Sequence, residues 1–460
     1  MFNFSSFYQD TAIITPEDKY TYRDLQTLSD EIGKHLISHQ LLFLLCNNDI
    51  ESITGYIASL EKDTVVLPLN ADTDEEIIEN LKSIYNPRFI WKPLKLLKKE
   101  DRVIYHYKGY ILIETEYKKD PPLPSNLSLL LSTSGSTGSP KLVRLTKNNL
   151  ISNAKSIIEY LNITGKERPV TSLPMYYSFG LSVINSHLMA GATILLTNFS
   201  YIQADFWKFA NENQFTSFSG VPYTFEILKK IKFWSMSFPT LKTITQAGGK
   251  MDNGLLKFFI ENAEERNIRF ITMYGQTEAT ARMSYLPPQF GLSKLGSIGK
   301  AIPNGIFHIQ DENGILLGDE QIGEIIYEGP NVCLGYAENL KDLYKDDENK
   351  GILHTGDLGY KDKEGFYFIT GRKKRFLKLS GNRISLDYVE ELLKDKLNEA
   401  VCTGDDRSLT VFTTDQEYNE DDIIDFLANR LKLIRTCFKI KKIDSIPRNE
   451  TGKIQYSNLV

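Results

Sequence analysis

Ser132-Thr-Ser-Gly-Ser-Thr-Gly-Ser-Pro-Lys141 is the stretch on which the reading of this chain turns. It follows the apolar run Leu129 to Leu131, where a buried strand is expected to end. Two glycines, six hydroxyl residues and one lysine are what a loop needs to wrap a polyphosphate. Glycine lets backbone N–H groups turn inward, hydroxyls donate to phosphate oxygens, and lysine neutralises charge. By composition alone the run reads equally as a flexible surface loop. The preceding strand and the Pro140-Lys141 ending shift the balance. It is not a Walker loop, because counting from Gly135 the second glycine would fall at Pro140. Gly452-Lys453 fails as well, since Ile454 follows.

Around that stretch, strand and helix patterns alternate. Leu41 to Leu45, Val65 to Leu69 and Ile194 to Thr197 are short apolar runs that suit buried strands. Glu75 to Ile84 and Leu150 to Leu161 carry helical periodicity. Thr21 and Asp24 stand at capping-box spacing before Leu25, Leu28, Ile32 and Leu36, which share one helical face. The alternation implies an α/β fold with parallel strands. After Gly323 the texture changes to short strand-like pieces with Gly and Asp turns. The basic run Gly371-Arg-Lys-Lys-Arg375 follows, then a tail with helices at Leu386 to Leu397 and Glu420 to Leu431.

At 460 residues two unequal domains are expected, and the boundary falls at the basic run, dividing the chain into 1–373 and 374–460. A net charge of −5 argues against a general nucleic-acid or membrane-surface binder. No apolar run is long enough to span a bilayer. Cys46, Cys333, Cys402 and Cys437 form no CxxC pair, which fits a reducing compartment and makes the cytoplasm the expected location. The six histidines are scattered, so no metal cluster is expected from them.

Thr133 to Lys141, followed by Leu145-Thr-Lys-Asn-Asn-Leu150, resembles the phosphate loop of the adenylate-forming superfamily: acyl-CoA synthetases, luciferase and peptide-synthetase adenylation domains. Further stretches resemble that family's signatures in its order. They are Leu173 to Gly180, Gly220-Val-Pro222, Gln246-Ala-Gly-Gly249, Met273-Tyr-Gly-Gln-Thr-Glu278, Gly323 to Asn331, Thr355-Gly-Asp357, Gly371-Arg372 through Gly381, and Pro447 through Lys453. The resemblance implies a large N-terminal domain of β-sheets layered with helices plus a small distorted β-barrel. A small mobile α+β C-terminal domain carries the last motif.

It also implies the chemistry. A carboxylate attacks the α-phosphorus of ATP, pyrophosphate leaves, and the acyl adenylate passes its acyl group to a thiol. Two anions must meet, so the barrier is mostly electrostatic. By resemblance Thr133, Ser134, Gly135, Ser136, Thr137, Gly138 and Lys141 hold the β- and γ-phosphates. Thr277 contacts the α-phosphate, and Glu278 helps to hold Mg²⁺. Gly248, Gly249 and Tyr274 line the adenine pocket, and Asp357 accepts from the ribose hydroxyls with Arg372 nearby. Lys453 is the catalytic lysine that bridges carboxylate and α-phosphate, and Lys374 is the hinge between two domain orientations. Lys378 matches a lysine used in the second orientation. Read without that company, Thr355-Gly-Asp357 is a turn and Lys373-Lys-Arg375 an exposed charge run.

The chain departs from the family pattern at several positions. Tyr177 stands where many acyl and aryl ligases have histidine. Leu142 replaces a glycine, Lys147 a histidine and Leu386 a proline. Phe179-Gly180-Leu181-Ser182 offers no carboxylate for an α-ammonium, which points to a plain acyl or aryl acid. Tyr176, Tyr177, Phe179, Phe218 and Tyr223 either wall an acid pocket or fill the core. The acceptor is CoA or a separate phosphopantetheinyl carrier protein, and Lys439, Lys441 and Lys442 either meet a CoA phosphate or only solubilise a strand edge. Two alternatives stand beside this reading: an amino-acid adenylating enzyme, and a nucleotide-binding pseudoenzyme with a regulatory role.

Overall fold

The computed structural model describes residues 1–117, 121–132, 141–373, 375–379, 382–405, 407–448 and 454–459. The side chains of residues 378, 382, 383 and 457 also fall outside the described set. The chain divides into two compact units, residues 1–306 with 328–353, and residues 307–327 with 354–460. The segments 307–327 and 354–373 thus cluster with the C-terminal tail, whereas the sequence division kept them with the large domain.

In the first unit an eight-stranded sheet runs Gly335–Ala337, Leu142–Thr146, Leu127–Ser132, Val65–Asn70, Leu41–Cys46, Phe89–Pro93, Tyr110–Glu114 and Val103–Tyr107. Its central strands are parallel, as the alternating pattern implied. Leu41–Cys46 is buried along its whole length because both faces are covered. Leu42, Leu44 and Cys46 join one core with residues of the helices Tyr22–Gly33 and Ile50–Glu61. Leu41, Phe43 and Leu45 join another with Ile78 and Leu81 of the helix Glu75–Tyr85. Such two-sided burial is why the strand reads as a continuous apolar run. The Thr21 capping box is present, with the Thr21 side chain accepting from Asp24 N–H and the Asp24 carboxylate accepting from Thr21 N–H.

A second sheet of the same unit orders Ser217–Gly220, Thr243–Gln246, Arg269–Tyr274, Ser284–Tyr285 and Lys300–Ala301. The first three strands are parallel and in register, with Gly220 opposite Gln246 and Gln246 opposite Thr272. Their carboxyl ends therefore finish together, and in parallel sheets that edge is where ligands bind.

The second unit holds, but for the strand-end residues 306, 328, 352 and 353, the sheet Ile306–Gln310, Gly323–Glu328, Ile352–Lys361 and Tyr367–Arg372. It also holds the hairpin Phe376–Leu379 with Asn382–Ser385, and a sheet of Ala400–Gly404, Leu409–Thr413 and Phe438–Lys442. Leu386–Leu393 and Glu420–Leu431 are helices, the first one turn shorter than the periodicity implied. Thr355-Gly-Asp357 corrects the turn reading, since it lies inside the ten-residue strand Ile352–Lys361. Its turn-like composition reflects Gly356, whose φ of +71° suits glycine. Among the described residues no helix is long and apolar enough to cross a membrane.

Candidate active site

Three of the sequence motifs emerge at the carboxyl edge of the parallel strands. Gln246 leads into Ala247-Gly248-Gly249, and its buried side chain donates to the Gly249 carbonyl at 3.0 Å, which fixes the turn. Gly248 has a φ of +87°, and a Cβ there would lie 2.7 Å from the Tyr177 hydroxyl. Only glycine meets both conditions. Burial pushes the Tyr177 phenol up to about 12, so it is a neutral group near pH 7.

Tyr274 closes the third strand, and Gln276 Nε2 donates to its hydroxyl at 3.1 Å. At Gly275 a Cβ would come within 1.8 Å of the Ala281 carbonyl oxygen, so the following chain folds back directly onto it. Thr277 and Glu278 sit in the short 3-10 turn Thr277–Ala279. The Thr277 and Ser178 hydroxyls are 3.3 Å apart, tying this turn to the first residue of the helix Ser178–Met189.

Glu278 is held at both ends. Its carbonyl accepts from Cys333 N–H at 2.8 Å, and Oε1 accepts from the Tyr336 hydroxyl at 2.8 Å. Burial first, and then the Glu278 charge, raises the Tyr336 pKa well above its usual value, which keeps the phenol a donor. The Lys141 ammonium lies 3.7 Å from the Tyr336 ring centroid and 3.6 Å from Glu338. Residues 141, 278 and 336 therefore form one cluster.

Strand pairing builds it. Tyr336 pairs with Val143, and the strands flanking residues 133–140 pair antiparallel with Ser132 opposite Leu142. Arg144, 0% exposed, donates to the carbonyls of Leu334, Tyr336, Lys345 and Asp346 and to Glu348, which clamps the Tyr336 strand in place. Sequence reasoning missed Tyr336 and Arg144. The only local signal was a lone charge inside the apolar strand Leu142–Thr146.

A single hard carboxylate with a fixed orientation fits Mg²⁺, which takes one or two protein carboxylates and completes its shell with phosphate and water oxygens. Among the described residues Glu278 has no cationic partner, and no group of three metal-binding side chains occurs.

In the second unit Asp357 and Arg372 face each other across paired strands, with Arg372 Nε 3.0 Å from Asp357 Oδ1. The Asp357 side chain is 3% exposed and that of Arg372 is 63% exposed. The Thr355 hydroxyl donates to the Ile325 carbonyl and accepts from Asp357 N–H, fixing the strand at that point.

The proposed acid-pocket aromatics separate. Tyr177 and Phe179 meet edge to face at 6.4 Å. Tyr176 is half-buried against the core of the eight-stranded sheet, and Tyr223 is exposed. Phe218 is 1% exposed and packs on Phe206 and Trp207, which makes it core. Its position in the strand Ser217–Gly220 turns it toward the helices that cover that face. Gly180 has a packing reason as well, since a Cβ there would lie 2.2 Å from the Pro174 carbonyl oxygen. An aspartate could not be placed there without moving the backbone. Lys439, Lys441 and Lys442 are exposed on a strand at the end of its sheet.

Thr133, Ser134, Gly135, Ser136, Thr137, Gly138, Lys374 and Lys453 lie outside the described residues, as does the Lys378 side chain. Arg448 and Ile454, which flank the Lys453 segment, form an antiparallel bridge.

The family model described as AMP-binding enzyme matches residues 4–337. The chain belongs to that family of AMP-binding enzymes. It is 26% identical to the 2-succinylbenzoate–CoA ligase of Staphylococcus epidermidis over 468 residues, covering 96% of this chain and 93% of the relative. With the enzyme of the same name from Listeria monocytogenes it shares 27% over 469 residues, covering 98% and 96%. Among solved structures, the O-succinylbenzoate coenzyme A synthetase of Bacillus subtilis in complex with AMP superposes with a TM-score of 0.81 at 23% identity, covering 99% and 96%. The fold expected from the resemblance is shared with that structure.

Proposed function

We propose that this chain activates a carboxylic acid without an α-ammonium group as its acyl adenylate and passes the acyl group to CoA. The observation that carries the reading is the cluster of Lys141, Tyr336 and Glu278 beside Thr277, at the edge where the parallel strands end. A cation and an oriented carboxylate next to a hydroxyl are the parts that a metal-bound triphosphate requires. Tyr336 holds the carboxylate of Glu278 in one orientation. When bound there, Mg²⁺ supplies charge neutralisation on the phosphates. Thr277 would donate to the α-phosphate and Lys141 would neutralise the phosphates beyond it. Gly248 and Gly249 would let the base lie flat against the backbone, with Tyr274 beside it. Asp357 and Arg372 would hold the ribose. Lys453 would bring one positive charge to the carboxylate and α-phosphate oxygens, stabilising the transition state more than the ground state. Lys374 would be the pivot between the adenylating and thiol-transferring arrangements, which sets the proposed division at 373/374 as a boundary of motion.

Relatives named as CoA ligases support CoA as the acceptor. Gly180, pressed against Pro174, supports an acid lacking an α-ammonium. Four buried free cysteines support a cytoplasmic location. The test is exchange of labelled pyrophosphate into ATP across a panel of carboxylic acids. Acid-dependent exchange is expected. Exchange with α-amino acids alone would favour the amino-acid reading, and no exchange with any acid would favour a pseudoenzyme.

A further inference from the structure

The residues on either side of position 374, the proposed pivot, are fastened to different parts of the second unit. Before it, Lys373 N–H donates to the Gly356 carbonyl at 2.7 Å, and its ammonium pairs with Glu324 at 2.9 Å. Arg372 pairs with Asp357 on the neighbouring strand. Residues 372 and 373 are thereby tied to the sheet that contains Ile352–Lys361.

Arg375, one residue past the pivot, is tied elsewhere. Its side chain, 16% exposed, pairs with Asp387 at 3.0 Å and with Glu390 at 2.7 Å, both on the helix Leu386–Leu393. The guanidinium also donates to the Cys402 carbonyl at 3.1 Å, and its carbon lies 3.8 Å from the centroid of the Tyr456 ring. Glu390 accepts in turn from Cys402 N–H at 2.7 Å, and Leu386 N–H donates to the Arg375 carbonyl at 2.9 Å. A planar fork held by two carboxylates, a carbonyl and a ring leaves little play, so Arg375, that helix, the strand Ala400–Gly404 and Tyr456 form one body.

Hydrogen bonds join the two sides. Arg375 N–H donates to the Arg372 carbonyl at 2.9 Å, which closes a local turn. Arg372 N–H donates to Asp387 Oδ2 at 2.9 Å, a contact that spans fifteen residues. Asp387 thus grips Arg375 through Oδ1 and the backbone of Arg372 through Oδ2. Gly371 eases the approach, since a Cβ there would lie 3.1 Å from Ser385 Oγ and 3.2 Å from Asp387 Oδ2.

Given the proposed pivot at Lys374, on which the latch depends, we infer that Asp387 is a positioning residue that latches one arrangement of the chain, and that its bond to Arg372 N–H parts when the segment after 374 turns. Turning there keeps Asp387 and Glu390 with Arg375 and keeps Arg372 on its strand, so the bond between Arg372 and Asp387 is the one that breaks. A hydrogen bond to a charged acceptor that is partly open to water biases a two-state equilibrium by about tenfold. Asp387 therefore sets the fraction of molecules in the latched arrangement. With it goes the balance between the half-reaction carried out there and the one carried out after turning.

The experiment places a donor and an acceptor fluorophore on Lys363→Cys and Asp422→Cys of the full chain, exposed positions before and after the pivot. The four native cysteines are buried, so labelling falls on the introduced pair. Single-molecule energy transfer is read with AMP, with ATP and magnesium, and with CoA, in the otherwise unmodified chain and in Asp387→Ala and Asp387→Asn. Two populations are expected. Asp387→Ala should deplete the one whose label separation matches this structure by about tenfold, and Asp387→Asn, which keeps an acceptor and loses the charge, by about threefold. With the acid that best supports pyrophosphate exchange, the ratio of adenylation to acyl transfer should change by a similar factor, one rate rising as the other falls. A merely structural role would lower both rates together. Unchanged populations in Asp387→Ala, or equal loss of both half-reactions, would overturn the latch and leave the pivot standing. A single population with every ligand in all three chains would overturn the pivot reading and the latch with it. Should Asp387→Ala fail to fold, Asp387→Asn decides by the same readouts.

Discussion

The Tyr336 hydroxyl donates to Glu278 Oε1 across 2.8 Å, although 58 residues separate the two. A carboxylate that must hold one lobe toward a metal gains from such a second contact, because the free rotor would otherwise sample orientations that leave the metal short of a ligand. Tyr336→Phe removes the contact and keeps the ring under Lys141. Its pyrophosphate exchange should need about tenfold more Mg²⁺ for half-maximal rate, with saturated rates falling less. Glu278→Gln should be worse on both counts. A magnesium titration of the two variants checks the order. An unchanged requirement in Tyr336→Phe would show that the hydrogen bond has no part in metal binding.

Gly248 meets two constraints at once, a φ of +87° and the Tyr177 hydroxyl 2.7 Å from where a Cβ would stand. Gly248→Ala should cost about 1–2 kcal/mol in backbone strain and displace the tyrosine, weakening ATP binding. Adding Tyr177→Phe relieves the contact and not the strain, so the double variant should recover part of the affinity. Calorimetric titration with AMP measures both. Full recovery or none would mean that one of the two constraints does not operate.

His187 is buried with its Nδ1 2.8 Å from the Val183 carbonyl. Burial, opposed in part by the Val183 carbonyl and aided by the Arg282 charge, lowers its pKa from 6.5 to about 4. A depressed folded pKa means that the unfolded chain binds the proton more readily. Its contribution is therefore complete above pH 6.5 and is lost as pH falls toward 4, with a total of about 3 kcal/mol. Replacing His187 with Gln should flatten the decline in unfolding free energy over that window by up to one proton. Denaturant melts at several pH values between 4 and 7 read the slope.

Lys453 is assigned on its motif. In Lys453→Ala a single-turnover measurement of adenylate formation should fall by about 100- to 1000-fold, as when a group serving only the transition state is removed. ATP binding should remain close to normal. Near-normal adenylation in this variant would withdraw the residue from the chemistry.

Lys374 is proposed as the pivot. Lys374→Pro limits the backbone there, so adenylation should persist while transfer of the acyl group to CoA slows by about tenfold or more. The two half-reactions are assayed separately. Equal loss of both would count against a pivot at this position.

Where local chemistry decides an element, it was legible. Thr21 and Asp24 are three residues apart and satisfy each other's backbone, so the helix start at Tyr22 could be read directly. The uninterrupted apolar run Leu41 to Leu45 announced a buried strand, and the strand Leu41–Cys46 is buried along its whole length. Thr355-Gly-Asp357 misled because its strand partner, ending at Arg372, is fifteen residues away and nothing local announces the pairing. Phe218 was ambiguous for a similar reason, since a strand pattern tells which residues share a face and not whether that face meets helices or a substrate.

By itself the sequence determined the order of the motifs, the alternation of strand and helix, and the set of groups available for phosphate chemistry, all of which follow from residue type and short spacing. Tertiary structure decided which of those groups meet. Lys141, Glu278 and Tyr336 come together because Val143 pairs with Tyr336, and Asp387 meets Arg372 and Arg375 because the helix Leu386–Leu393 starts beside the strand that ends at Arg372. Burial and cross-strand contact are properties of distant segments brought side by side, and no window of neighbouring residues contains them.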